Sequence, residues 1–135
     1  MDYPATACPE ASILIVDDSP TQILLLREIL LSAGYSKLYQ SQDPRQALAL
    51  HRTHDVDLIL LDLNMPYLSG FDVLEQFNTR AGRGRKPKII AISSQTDQET
   101  RKRVMALGAK TFIAKPYRIE SLLRQVQREL ETCPA

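Results

Sequence analysis

The stretch LILLD, residues 58–62, consists of four consecutive apolar residues and the carboxylate that closes them. Two further runs have the same form, residues 12–16 before Asp17 and residues 88–92 before Ser93. Weaker, mixed runs at residues 37–41 and 110–114 complete a set of five. Apolar runs without alternation are typical of strands that are buried on both faces. The sequence therefore predicts a parallel sheet covered by helices.

Helix-forming patterns fill the segments between these runs, and several begin with a capping signal. Ser19 and Asp43 each precede a proline, which suits the first position of a helix. Asp97 is expected to cap a further helix, and Gly34 to end the first one. Five strand–helix repeats predict an α/β fold, a three-layer (βα)5 sandwich around a five-stranded parallel sheet. The flavodoxin-like strand order 2-1-3-4-5 suits this size.

Length and composition limit the class of protein. The chain has 135 residues, enough for one domain, of which 44% are hydrophobic, 17 basic and 16 acidic. This balance argues against nucleic-acid binding through this domain, and no segment has the pattern of a membrane span or an export signal. We therefore expect a cytoplasmic protein with a domain at residues 12–131, an N-terminal tail at 1–11 and a C-terminal tail at 132–135.

Charged and polar side chains close the predicted strands. Asp17 and Asp18 follow the first strand, Asp62 the third, Ser93 the fourth and Lys115 the fifth. Taken singly, Ser93 is well explained as a turn cap and Lys115 as a solvated charge. Together they meet at the carboxyl edge of the sheet, where α/β folds collect their ligands.

Three carboxylates at one edge predict a bound cation. At about 4 Å and an effective dielectric near 20, each like-charge pair costs on the order of 4 kcal/mol. Oxygen ligands without His or Cys favour Mg²⁺, with Mn²⁺ as a substitute. A carboxylate beside such an ion can attack a phosphoryl group, and Asp62 is best placed because it stands alone after the most apolar strand.

Four segments resemble the receiver domain of bacterial two-component response regulators, in particular single-domain receivers like the chemotaxis regulators. They occur in the family's order within a region that covers about residues 12–131. The segments are VDDS at 16–19, LLDLNMP at 60–66 followed by Gly70, ISS at 92–94 and AKP at 114–116. One of these segments alone is a weak signal, whereas the four together on five strand–helix units are specific.

The resemblance implies a role for each site residue. Asp62 is the expected phosphoacceptor, and it is also a metal ligand together with Asp18 and the backbone carbonyl of Asn64. Asp17 is expected to hold the metal through water. Lys115 should pair with the carboxylate and then with the phosphoryl group, and its bond to Pro116 is expected to be cis.

The resemblance also implies a switch. Ser93 stands at the Ser/Thr switch position and Phe112 at the partner aromatic position. We expect phosphorylation to draw Ser93 toward the phosphoryl group, to let Phe112 rotate inward, and to reshape the surface of the fourth helix, fifth strand and fifth helix.

The implied function is that of a receiver that accepts a phosphoryl group from a histidine kinase or a His-phosphotransfer protein in a Mg²⁺-dependent reaction. It would signal by contact with a downstream protein, as a monomer or an activation-dependent dimer without membrane association. It would catalyse only its own phosphorylation and dephosphorylation and would not be a turnover enzyme. One alternative is a degenerate receiver that only binds a partner. Another is a phosphatase of the haloacid-dehalogenase type, which needs an aspartate where Asn64 stands.

The remaining polar residues are given ordinary structural interpretations. His51 and His54 are expected to be solvated, and Arg101, Lys102 and Arg103 to form a solvated helix face, with partner contact as the second interpretation. Met105 is expected to point inward with Val104 and Leu107. Cys8 and Cys133 lie near opposite ends of the chain, and a disulfide between them is disfavoured without an export signal.

Overall fold

A computed structural model describes residues 5–64, 70–80 and 87–130 of the chain. Five strands and five helices alternate within these ranges. They are β1 (Ser12–Val16), α1 (Pro20–Ser32), β2 (Lys37–Ser41), α2 (Pro44–His54), β3 (Leu58–Asp62), α3 (Gly70–Arg80), β4 (Lys88–Ser93), α4 (Gln98–Ala106), β5 (Thr111–Ala114) and α5 (Ile119–Glu129). Every strand pair is parallel, and the order is β2-β1-β3-β4-β5, which confirms the predicted α/β fold.

The sheet is buried on both faces because helices cover both. Successive residues of a strand point to opposite faces. Thus Leu58 and Leu60 belong to the core on the side of α1 and α5, whereas Ile59 and Leu61 belong to the core on the side of α2, α3 and α4. All five residues of β3 are buried, including Asp62, so the unbroken apolar run follows from burial on both faces.

The predicted helix caps are present. The Ser19 hydroxyl accepts a hydrogen bond from the backbone N–H of Gln22 at 3.3 Å, and the Asp43 carboxylate accepts one from the N–H of Arg45 at 2.9 Å. Asp97 caps α4 in the same way, through the N–H of Thr100 at 3.0 Å. Each cap satisfies a backbone donor that has no partner inside its helix. Gly34 follows α1 with φ of +101°, a conformation that favours glycine.

The segment before β1 packs against the domain. Cys8 and Ala11 are buried in the core, and the N–H of Thr6 donates to the carbonyl oxygen of Ala33 at 2.7 Å. Cys8 is disulfide-bonded, contrary to the sequence-based expectation, and its sulfur lies 3.1 Å from the carbonyl oxygen of Leu130 at the end of α5. The expectation used the redox compartment alone, whereas the packing of Cys8 against the end of α5 also decides which cysteine it can meet. Cys133 and the predicted tail at 132–135 lie outside the described residues.

Two side chains take positions opposite to those expected. His51 is wrongly predicted as solvated: it is 4% exposed, and its ring meets that of Phe77 edge-on at 6.1 Å. It lies one turn after the buried Ala47 and shares that residue's inward face. Met105 is wrongly predicted as inward: it is 44% exposed, because the adjacent Val104 occupies the inward position and neighbouring residues of a helix point in different directions.

In the described part of the chain, no helix has the length and apolarity needed to cross a membrane. The proposed domain limits at residues 12 and 131 remain a prediction.

His51 makes the stability of the fold depend on pH. Burial lowers the pKa of His51 below 6.5, and no group of the described residues bonds its Nδ1. The folded state therefore binds fewer protons than the unfolded state, and the His51 contribution is lost as pH falls below 6.5.

We expect the free energy of unfolding of His51→Leu, relative to that of the wild type, to rise as pH is lowered from about 7.5 to about 5.5, on either side of the ordinary His value. Urea unfolding of both proteins across this range measures the difference. A difference that does not change with pH would contradict the assignment. His54→Leu, at an exposed position of the same helix, is the matched control.

Candidate phosphoryl-acceptor and metal site

Strand register places the carboxylates side by side. Val16 of β1 pairs with Leu61 of β3, so Asp17 and Asp62 follow at the same level of adjacent strands. One carboxylate oxygen from each of Asp17, Asp18 and Asp62 lies within 4.8 Å of the others. Asp17 and Asp62 are buried, at 3% and 4% exposure, and Asp18 is half-buried. The convergence predicted from the strand ends is present.

Lys115 reaches this cluster from the fifth strand. Its Nζ lies 3.0 Å from Oδ1 of Asp62, and the backbone N–H of Asn64 donates to the same oxygen at 2.9 Å. The N–H of Lys115 donates to the carbonyl oxygen of Ser93 at 2.8 Å, which continues the β4–β5 pairing, and the bond from Lys115 to Pro116 is cis as expected. The ammonium is thereby directed at the carboxylate that ends β3.

The electrostatics of the cluster favour a cation. Burial, and then the neighbouring charge of Asp62, raise the pKa of Asp17 from 3.8 to about 7. The hydrogen bond from the N–H of Ser19 to the Asp17 carboxylate, 2.9 Å long, lowers the pKa by less than burial raises it, and the charge of Lys115 lowers it least. Burial thus disfavours the charged form of Asp17, and a cation bound at the cluster would favour it.

The donor set fits a hard divalent cation. The three acidic side chains offer oxygen ligands, and neither His nor Cys belongs to the cluster. Asn64 lies two residues after the end of β3, and its N–H donates a hydrogen bond to the Asp62 carboxylate. Oxygen donors in this number, with room for water, are typical of Mg²⁺ sites. The cluster could therefore hold a metal ion.

Ser93 and Phe112 share one face of the sheet. Ala91 pairs with Phe112 and Ser93 with Ala114, so the two predicted switch residues are diagonal neighbours on the face covered by α4. Ser93 is 1% exposed, and its hydroxyl accepts from the N–H of Gln95 at 3.0 Å. Phe112 is only half-buried. A displacement of Ser93 would therefore change the space next to the Phe112 ring.

Asn64 links two loops at the edge of the site. Its side-chain oxygen accepts a hydrogen bond from the N–H of Ser94 at 2.8 Å. This bond connects the segment after β3 with the segment after β4. Met65 and Pro66 of the same motif lie outside the described residues.

Two contacts at the site were missed from sequence. The Arg101 guanidinium carbon lies 4.9 Å from the centre of the Phe112 ring, so part of the face interpreted as solvated touches the switch aromatic. The Tyr117 hydroxyl is buried near the carboxylates. Burial and the charges of Asp17 and Asp62 raise the pKa of Tyr117. The position of Tyr117 directly after Lys115 and Pro116 was a usable signal, whereas nothing in the spacing of Arg101 indicated a ring contact.

Known proteins share this sequence pattern and fold. Residues 13–127 match the model of the response regulator receiver domain. The PilH protein of Pseudomonas aeruginosa is 34% identical over 122 residues, covering 89% of this chain and 98% of PilH. The chemotaxis protein CheY of Bacillus subtilis is 28% identical over 118 residues, covering 87% and 96%.

Solved structures agree with this relationship. CheY4 of Vibrio cholerae superposes with a TM-score of 0.80 at 31% identity, covering 89% of this chain and 98% of CheY4. The CheX–CheY–BeF3–Mg²⁺ complex of Borrelia burgdorferi gives a TM-score of 0.79 at 28% identity, covering 87% of each chain. With the four motifs on the expected strand ends, these matches show that the chain belongs to the response regulator receiver family, as a CheY-like phosphoryl-accepting domain of two-component signalling.

Proposed function

We propose that Asp62 is the phosphoacceptor of this receiver and takes its phosphoryl group from a phosphohistidine of a histidine kinase or a phosphotransfer protein. The observation that supports this most directly is the burial of Asp62 at 4% exposure, within 4.8 Å of two other carboxylates and 3.0 Å from the Lys115 ammonium. No other described carboxylate combines an acidic cluster with a lysine contact.

The proposed metal is Mg²⁺, with Mn²⁺ as a substitute. Asp18, Asp62 and the backbone carbonyl of Asn64 would hold it directly, and Asp17 through water. When bound, the ion supplies positive charge to the phosphoryl oxygens and to the carboxylates. Its presence also explains how the fold tolerates an acidic cluster in which burial and Asp62 raise the pKa of Asp17 to about 7.

In the proposed reaction a carboxylate oxygen of Asp62 attacks phosphorus. The bond from phosphorus to the histidine nitrogen breaks, its electron pair stays on the imidazole, and an acyl phosphate forms on Asp62. Lys115 then transfers its contact from the carboxylate to a phosphoryl oxygen. Positioning and charge neutralisation account for most of the catalysis in such transfers, so the residues need supply no further acid or base.

The proposed switch uses Ser93 and Phe112. In this switch Ser93 moves toward the phosphoryl group, to which its hydroxyl donates, from the position in which it accepts from the N–H of Gln95. The vacated space lets Phe112 rotate from its half-buried position, away from Arg101. Moving a two-state switch from 1:99 to 99:1 takes about 5.5 kcal/mol. Two or three hydrogen bonds to a charged group, at about 1.5–3 kcal/mol each, supply this.

The proposed phosphoryl transfer also implies the type of activity and the kind of partners of this protein. The protein would catalyse only its own phosphorylation and dephosphorylation, and would signal by contact between the changed surface and a downstream protein. It would act as a monomer or as a dimer formed on activation, in the cytoplasm that the sequence predicts. The haloacid-dehalogenase alternative is not favoured, since the side chain of Asn64 bonds Ser94 and carries no acidic proton.

The first prediction concerns the phosphoacceptor. Wild-type protein incubated with acetyl phosphate and Mg²⁺ should gain the mass of one phosphoryl group, and Asp62→Asn should gain none because an amide is not a nucleophile here. Asp55→Asn is the matched control, because Asp55 lies in a left-handed turn that Asn tolerates, before the start of β3 and thus at the edge of the sheet opposite the site. Phosphorylation of Asp62→Asn at wild-type level would instead support another acceptor, and an unmodified wild type a degenerate receiver.

The second prediction concerns metal binding and pH. Because Asp17 holds a proton below about pH 7, Mg²⁺ binding should release that proton. The Mg²⁺ affinity should rise by up to about tenfold per pH unit below pH 7 and level off above it.

Calorimetric titration in two buffers with different ionisation enthalpies measures the released proton. Asp17→Asn should bind Mg²⁺ more weakly and lose this pH dependence. An unchanged proton release in Asp17→Asn would show that another group carries the proton.

The third prediction concerns the switch. Ser93→Ala should still accept a phosphoryl group on Asp62, because the nucleophile and Lys115 are unchanged. Beryllofluoride with Mg²⁺ should then shift the backbone amide resonances of β5 and α4 less than in the wild type. Full wild-type shifts in Ser93→Ala would remove Ser93 from the switch.

A further inference from the structure

One buried hydroxyl near the carboxylates has no hydrogen-bond partner among the described residues. Tyr117 lies two residues after Lys115 and two before the start of α5. Its hydroxyl oxygen is buried and forms no hydrogen bond with any group of residues 5–64, 70–80 and 87–130. A buried tyrosine hydroxyl usually has a partner, because it loses its hydrogen bonds to water on folding. Tyr117 therefore requires a partner that the described part of the chain does not supply.

The ring of Tyr117 holds this hydroxyl on one side of the sheet. It packs against the core on the side of α1 and α5, whereas Phe112 belongs to the core on the opposite side. Tyr117 is therefore not part of the proposed path from Ser93 to Phe112. Its partner has to be sought at the strand ends, where the carboxylates lie.

Two carboxylates of the site lie within electrostatic reach of the hydroxyl. Besides burial, the charges of Asp17 and then of Asp62 raise the pKa of Tyr117, and all three effects favour the neutral hydroxyl. Tyr117 bonds neither carboxylate directly. The Asp17 carboxylate accepts from the N–H of Ser19 at 2.9 Å, and that of Asp62 from the Lys115 ammonium at 3.0 Å. A small group between Tyr117 and Asp17 can bond both of them.

The proposed metal supplies such a group. Asp17 is proposed to hold Mg²⁺ through water, and Mg²⁺ usually keeps several waters in a protein site. The charge of the ion makes both protons of a bound water more acidic, and hence better donors. The Asp17 carboxylate can accept one of them, and the oxygen of a neutral tyrosine hydroxyl can accept the other. Outer partners of this kind orient the ligands of a metal and raise its affinity.

We propose that Tyr117 is a positioning residue of the metal site, whose hydroxyl oxygen accepts a hydrogen bond from the water through which Asp17 holds Mg²⁺. The hydroxyl acquires this partner only when the metal is bound, so it favours the loaded site over the metal-free one. This role deepens the proposed function and rests on it.

Calorimetric titration with Mg²⁺ at about pH 8, where Asp17 is ionised, measures the effect on affinity. Tyr117→Phe keeps the ring and removes only the hydroxyl, and it should weaken Mg²⁺ binding about tenfold. Tyr35→Phe is the matched control and should bind Mg²⁺ as the wild type does. It also removes a buried hydroxyl, but Tyr35 precedes β2 and thus lies at the edge of the sheet opposite the site.

Urea unfolding separates this role from one in packing. Without Mg²⁺, Tyr117→Phe should unfold at a urea concentration equal to or higher than that of the wild type, because it removes an unpaired hydroxyl. Added Mg²⁺ should raise the midpoint of the variant less than that of the wild type, since the metal binds the folded variant more weakly. A hydroxyl that only stabilised the fold would instead lower the midpoint equally with and without Mg²⁺.

A second substitution tests whether Tyr117 acts through the water of Asp17. In Asp17→Ala no carboxylate holds that water, so adding Tyr117→Phe should change the Mg²⁺ affinity by less than about twofold. An undiminished effect of Tyr117→Phe in the Asp17→Ala background would contradict the shared water.

Wild-type Mg²⁺ affinity in Tyr117→Phe would overturn the proposal. So would an effect of Tyr117→Phe that appears only with beryllofluoride and not with Mg²⁺ alone, because the hydroxyl would then bond the phosphoryl group. A failure of the proposed function is distinct, since the wild type itself would then fail to bind Mg²⁺ or to gain the mass of a phosphoryl group from acetyl phosphate.

Discussion

The contact between the Lys115 ammonium and the Asp62 carboxylate, 3.0 Å long, joins the two halves of the sheet at their carboxyl edge. Asp62 ends the central strand β3, and Lys115 follows the edge strand β5. Two more carboxylates lie within 4.8 Å, and one ammonium cannot balance three such charges. Burial, with a smaller contribution from the charge of Asp62, raises the pKa of Asp17 to about 7. The site is therefore prepared for additional positive charge and for a group that the ammonium can hold.

The crowding of the three carboxylates also underlies the response to phosphorylation that we propose. Ser93 ends β4, the strand next to β3, and it shares a face of the sheet with Phe112 of β5. The parallel pairing of β4 and β5 fixes the positions of Ser93 and Phe112 relative to each other. A displacement of Ser93 at the strand end would therefore reach Phe112 on β5 through adjacent side chains. The guanidinium carbon of Arg101 lies 4.9 Å from the centre of the Phe112 ring. In the switch that we propose, a local change of charge would thus alter a surface at the sheet edge.

Charge is separated across the domain as well as within the site. Residues 5–64 carry the three carboxylates of the site, whereas residues 87–130 carry Ser93, Lys115 and more than half of the basic side chains of the chain. Separation of this kind is invisible in the net charge of +1.

The sequence by itself determined the strand–helix repeat, the parallel sheet, the caps at Ser19, Asp43 and Asp97, and the convergence of Asp17, Asp18, Asp62, Ser93 and Lys115. These features depend on local periodicity and on the rule that parallel strands end at one edge, so short stretches of chain carry them.

Only the tertiary structure decided the burial of His51, the exposure of Met105, the disulfide state of Cys8 and the contact of Arg101 with Phe112. For the three helical residues the outcome depends on which side of the helix meets another element that is distant in sequence, and for Cys8 it depends on the packing of the segment before β1 against α5. The sequence gives the direction in which each side chain of a helix points. The packing of the helix against the sheet then determines which of those side chains are buried.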